Sequence, residues 1–254
     1  MIKRIVPRPS IITMPAMVAT IDVTGSTVSG NALLGNSPSG SGGGGMFSFD
    51  TATILNSTIS GNSSSVDGGG LLNASTGYLT NATVFQNAAT GSGGNVSNTS
   101  DLILANTIVG GGAASIGPDI SNSSTLTSDD YNIIQTAVAG TAITGTITHN
   151  LQVNPLLLAL ANNGGPTFTN ADQAGSPGRA DIPFATTCNG YSGTNVDQRG
   201  FARGAGGRRD VGAYEFAGVA SAAMHAQPIR AHPGHHRHPK HKGRPHAPAP
   251  PAAR

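Results

Sequence analysis

The chain has 254 residues, with 14 Lys and Arg, 12 Asp and Glu, 10% charged residues, 4% aromatic residues and no Trp. Its formal charge of +2 averages two unlike parts: six cations (Arg230, Arg237, Lys240, Lys242, Arg244 and Arg254) lie in residues 225–254 with no acid, whereas Pro9 to Gly178 holds no Lys or Arg. A body without cations cannot neutralise phosphates, which excludes nucleic-acid binding there. The single cysteine, Cys188, allows no intrachain disulfide.

Residues 1–20 place Lys3, Arg4 and Arg8 before a short apolar run, Ile11 to Ala19. That is the charge order of an export signal, but Pro15 breaks the run and Met17-Val18-Ala19 is a poor cleavage site, so the segment reads as the start of an incomplete chain. No stretch approaches the roughly 20 apolar residues that span a bilayer.

Residues 21–122 repeat. Ser26-Thr-Val-Ser-Gly-Asn31, Ser57-Thr-Ile-Ser-Gly-Asn62, Ala82-Thr-Val-Phe-Gln-Asn87 and Asn106-Thr-Ile-Val-Gly-Gly111 start 31, 25 and 24 residues apart, and glycine runs ending at Gly45, Gly70 and Gly94 keep the 25 and 24 step. A period of that size marks a solenoid whose turns bury their apolar faces only by stacking. Superposing the repeats gives three apolar columns: Val23, Ile54, Leu79, Ile103; Val28, Ile59, Val84, Ile108; and Phe47, Leu72, Val96, Ile120. The stations are too short for helices and are flanked by Gly, Asn and Ser, which predicts strands joined by turns. Three walls around one interior make an all-β, right-handed parallel β-helix of about 24–25 residues per coil. Asn31, Asn62 and Asn87 are placed to form a ladder. The first coil has no evident cap, so upstream coils or a partner should cover it. Seven Asn-x-Ser/Thr sequons, at Asn56, Asn62, Asn73, Asn81, Asn95, Asn98 and Asn122, follow from this composition by chance.

Residues 123–216 break the period. Asp129-Asp130-Tyr131-Asn132, His149-Asn150 and Asn154-Pro155-Leu156 read as short irregular strands that continue the stack, and Asn163-Gly-Gly-Pro-Thr167 and Gly175-Ser-Pro-Gly178 as turns. Charge returns with Arg199, Arg203, Arg208 and Arg209 near Asp197, Asp210 and Glu215. Either this is an anion-binding cluster, or its Arg–carboxylate pairs fix a segment that closes the last rung; the second reading is preferred.

Asn154-Pro-Leu156, Asn163-Gly-Gly-Pro-Thr167, Gly175-Ser-Pro177, Asp197-Gln-Arg-Gly200 and Asp210-Val-Gly-Ala-Tyr-Glu-Phe216 occur in that order. Together they resemble the choice-of-anchor Q domain, over roughly residues 20–216. The resemblance implies a pectin-lyase-like parallel β-helix on an exported bacterial protein, followed by a variable anchoring device. Two positions depart from that pattern: Arg209 stands where members often carry Cys, which leaves Cys188 without that partner, and Ser176-Pro-Gly-Arg-Ala-Asp-Ile182 replaces the usual Ser-Pro-Ala-Ile-Asp-Ala-Gly.

Residues 217–254 are rich in His, Pro and Arg and read as a disordered spacer. His232, His235, His236, His238 and His241 could take up a divalent metal, and the tail's charge could adhere to an anionic polymer.

A β-helix that cuts acidic polysaccharide needs carboxylates converging on one groove, or clustered acids and a basic residue. Asp129 and Asp130 are adjacent and would face opposite sides of a strand unless a bend intervened, His149 is the one body histidine, and the coil holds no cation. The chain therefore reads as a non-enzymatic secreted or surface module, stalk or adhesin-like, with no catalytic, cofactor-binding or metal residue assigned and no cofactor. Its partner would be a cell-envelope polymer or extracellular carbohydrate. The alternative is a polysaccharide lyase or glycoside hydrolase whose catalytic turns are missing or degenerate.

Overall fold

Short strands of β-branched and small residues stack here because each is too short to bury a face alone. The computed structural model describes residues 20–35, 42–183, 195–204, 207–216 and 219–220. The leading segment, Cys188 and the His-rich tail lie outside them.

The coils present four walls. Wall A is a six-stranded parallel sheet of Thr20–Thr24, Thr51–Leu55, Gly77–Thr80, Leu102–Ala105, Leu126–Asp129 and Thr144–Thr146. Wall B stacks Thr27–Ser29, Thr58–Ser60, Thr83–Phe85, Ile108–Gly110 and Ile133–Ile134. Wall D stacks Met46–Ser48, Leu71–Asn73, Val96–Asn98, Ile120–Asn122 and Ala139–Gly140. Between B and D runs wall C, with two-residue strands Ala32–Leu33, Ser63–Ser64 and Ala88–Ala89. The architecture is the expected parallel β-helix, with a fourth short wall that the three-column reading missed, because wall C carries Ser and Ala and so has no apolar signature.

Three columns separate their inner and outer faces only after a correction. In wall A, Val23, Ile54 and Leu79 stack on Leu104, not Ile103, which pairs with Tyr78 on the outer side. In wall B, Val28, Ile59 and Val84 continue to Val109, while Ile108 pairs with Thr83. In wall D the inner file is Met46, Leu71, Val96 and Ile120, so Phe47 and Leu72 belong to the outer row. A one-residue slip exchanges the faces of a strand, and adjacent apolar residues hide it. The corrected files form the main core, which includes Ile54, Ile59, Leu71, Leu79, Val84, Val96, Leu104, Val109 and Ile120.

Asparagine builds the corners. Asn56, Asn81 and Asn106 occupy the A–B corner with φ of 44°, 49° and 50°, a region Asn tolerates because its amide can bond locally. Inside, Asn31, Asn62 and Asn87 form the expected ladder, with Asn62 Nδ2 donating to Asn87 Oδ1 at 2.9 Å. One coil on, Gly112 stands where the next Asn would, and Asn87 instead donates to Asn95, which donates to the buried carboxylate of Asp119. A second ladder, Asn73 to Asn98 to Asn122, lines the end of wall D at 2.8 and 2.7 Å. All seven sequon asparagines are buried. A glycan on any of them would occupy the core, so the folded coil and N-glycosylation at these sites exclude one another.

The last coil is shorter. Asn132 donates its backbone N–H to Oδ1 of Asn150, 18 residues on, where the coil before has Thr107 donating to Asn132 over 25, and parallel stacking ends at Leu151. There the chain leaves the stack. The expected closing segment does not cover the last rung: it folds back along the outer face of wall B as a strap. Leu157–Ala161 and Thr169–Asp172 form an antiparallel hairpin. Thr167 donates to Gly25 O and Thr27 to Phe168 O at the first coil, Ala213 N donates to Thr83 at the third and Gly212 N to Asn106 O beyond it. A second core lies between strap and wall, formed by Phe85, Ile108, Ile133, Leu157, Ile182 and Val211 with Tyr131. Burying these outer side chains favours the folded-back path by roughly 1.5–3 kcal/mol for each large residue; the apolar ones, Phe85, Ile108 and Ile133, sit on the later rungs, while the earlier rungs offer Thr27, Thr58 and Thr83 as hydrogen-bonding groups.

Candidate functional site

Two places gather charged or titratable side chains. The first is the charged part of the strap. Arg199 lays its guanidinium between the rings of Tyr214 and Phe201, at 3.7 and 4.2 Å. It donates Nε and Nη2 to Asp197 Oδ2 at 2.9 and 2.7 Å and its remaining bonds to the carbonyls of Asn163 and Glu215. Gly165 passes directly over its backbone with φ of +81°, the close approach that the Asn-Gly-Gly-Pro turn provides. Arg203 is buried and donates to the carbonyls of Gly212 and Asp210, to Asn56 Oδ1 and, at 3.5 Å, to Glu215. Gln198 fills the space between strap and wall, accepting from Thr58 at 2.6 Å and donating to Thr27 and Thr167. These groups point inward and their donors are occupied by the chain itself. The arrangement matches the preferred expectation of Arg–carboxylate pairs that fix the fold, though along wall B and not over the last rung.

The second place is the A–B corner of the last full coil. Here two residues in succession, Asp130 and Tyr131, take positive φ of 67° and 50° where the earlier coils use one Asn. This bend swings Asp130 out of the strand that ends at Asp129. Asp130 Oδ1 accepts the backbone N–H of His149 at 2.7 Å and Oδ2 faces Nδ1 of the same ring at 2.6 Å. The ring stacks flat on Tyr131, with centroids 4.5 Å apart and planes within 1°. Burial opposes ionisation of Asp130, but the side-chain and backbone hydrogen bonds from His149 and the backbone bond from Tyr131 outweigh it, so its pKa lies below the usual aspartate value. An ionised carboxylate only accepts. Nδ1 must therefore carry the proton of this contact, on a ring that is itself half exposed. Chemically this is an oriented imidazole, and Asp181 of the strap lies near enough to feel the charge of both His149 and Asp130.

A backbone bend falls at Asp130 and Tyr131, directly after the strand that ends at Asp129, so the alternation rule for adjacent strand residues does not govern this pair. His149 lies far from Asp130 in sequence, and nothing in composition marked the pair. The strap also carries arginines back to a coil that has none of its own: Arg208 is exposed and donates to the carbonyls of Ala180 and Asp181. Among the described residues no group of three or more His, Cys, Asp or Glu could hold a metal ion, and no helix is long and apolar enough to cross a membrane. Comparison with protein-family models, curated proteins and solved structures gave no match.

Proposed function

We propose that the protein is a non-enzymatic parallel β-helix module of stalk or adhesin-like type, secreted or displayed at a bacterial cell surface. The observation that carries this reading is the direction of the charged side chains. Arg199, Arg203, Asp197 and Glu215 of the motifs that resemble the choice-of-anchor Q domain are turned into the strap and tie it to the coil. No groove receives them. A long stack of parallel strands held by side-chain ladders suits a load-bearing rod, and the outer row of wall A, Asp22, Thr53, Tyr78, Ile103, Thr127 and Thr144, offers hydroxyl groups and a ring to an envelope polymer or extracellular carbohydrate.

A second reading is favoured by the Asp130–His149 pair, which orients a base as polysaccharide-processing β-helices require. Incubation with pectin, polygalacturonate and alginate separates the two. The stalk reading expects no new reducing ends or unsaturated products; turnover that is lost in His149→Ala and in Asp130→Asn would overturn it. Protease shaving of intact cells tests the display: the chain should be cleaved from outside, and full protection would count against surface exposure.

A further inference from the structure

Four carboxylates are buried where the strap folds on itself, and one of them is held unlike the others. Asp197 accepts the backbone N–H of Arg199, Phe201 and Glu215. Asp210 accepts those of Ala180 and Phe216, and Glu215 those of Gly204 and Asp210. Such cradles stabilise a negative charge. Asp172, at the end of the hairpin strand Thr169–Asp172 and 2% exposed, has no cradle. Its Oδ1 receives the Ser176 hydroxyl at 3.5 Å, and its Oδ2 has no hydrogen-bond partner.

The charged groups that act on Asp172 come from three parts of the strap. Asp210 and Glu215 lie on the final stretch, Arg203 on the preceding turn and Arg179 on the Ser-Pro-Gly turn. Both guanidinium groups are engaged elsewhere. Arg203 donates to Gly212 O at 2.7 Å, and Arg179 donates to Ala174 O and lies over the Phe216 ring at 3.3 Å. An uncradled charge beside two other carboxylates is costly to bury, whereas the neutral acid is not.

We propose that Asp172 is a proton-held latch: while it carries its proton the strap lies closed on wall B, and when the proton leaves, the strap loosens. Burial is the main cause that lifts its pKa to about 8, helped by Asp210 and Glu215 and opposed by Arg203 and Arg179. The folded acid thus holds its proton to higher pH than the unfolded one. The stabilisation is complete below the ordinary aspartate pKa of 3.8 and is lost as pH rises towards about 8. Burial shifts Glu215 in the same direction, so the wild type alone does not isolate Asp172.

Hydrogen exchange tests the latch. Between pH 5.5 and 9 the protection factors of Gln198, Gly212 and Ala213, whose N–H groups bond Ala213 O, Asn106 O and Thr83 Oγ1, should fall on the order of tenfold or more. Those of wall amides such as Val96 should not, and Asp172→Asn should flatten the strap's response. Protection that stays level in the wild type, or falls equally in Asp172→Asn, overturns the proposal. If that variant does not fold, carbon NMR of the wild-type carboxyl decides: a protonated Asp172 at pH 6 supports the latch and an ionised one refutes it.

Discussion

An amide in a ladder gives its donor to one neighbour and its acceptor to the other, so a ladder of finite length always leaves one end unmatched. In wall D that end is Asn73 Oδ1, which is buried with no hydrogen-bond partner, because the first coil carries Ser48 where the next three carry Asn. Ser48 already makes the local bond of its column, to the carbonyl two residues on, as Asn73, Asn98 and Asn122 do. Ser48→Asn should keep that bond and donate to Asn73 as well. The expected gain is about 1 kcal/mol, seen as a higher urea midpoint at unchanged slope; a lower midpoint would mean that the pocket lacks room for the amide. The fourth coil shows the opposite device, in which Asp119 ends the other ladder with a group that only accepts.

Elements are set by what a Cβ would meet. Gly44, Gly69 and Gly94 stack one above another, and a methyl on Gly69 would overlap the carbonyls of Ala88 and Gly94, which are fixed backbone. Gly61, by contrast, has open space and only its φ of +67° to defend. Gly61→Ala should therefore cost about 1–2 kcal/mol and Gly69→Ala about 3 kcal/mol or more, since the neighbouring rungs cannot give way. Equal losses in thermal unfolding would show that the stacked glycines are not sterically required. Much of this element scale was legible in the chain. Period, strand type and the inner files through Ile54, Ile59, Leu79 and Val84 follow from spacing. The rest was not. Ile103-Leu104 and Ile108-Val109 each offer two apolar residues to one inward position, and only the ladder register settles the choice. The route of residues 152–216 was hidden too, because an Arg–carboxylate knot reads the same whether it closes an end or a side. The Asp130–His149 pair depends on that last short coil, whose 18-residue step no repeat foretold.

At the scale of the molecule the strap is a fixed ruler laid against a stack of known pitch. It is anchored at Gly25 and Thr27 by Thr167, Phe168 and Gln198, at Asn56 by Arg203, at Thr83 and Asn106 by residues 212–213, and it packs Ile182 and Val211 against Ile133. Its own fold is stiffened by buried ion pairs, so it cannot stretch by one rung. The coil has no such limit, since each rung meets only its neighbours. Duplicating residues 82–106 adds one 25-residue rung and separates the two anchor sets by about 4.8 Å. The enlarged coil should keep its β-sheet circular dichroism, while the strap, unable to reach both sets, loses one of them. Limited proteolysis should then cut within residues 155–216 under conditions where the parent resists, and unfolding should split into two transitions. A single transition with an equally resistant strap would show that the strap follows the coil's length and is not matched to it.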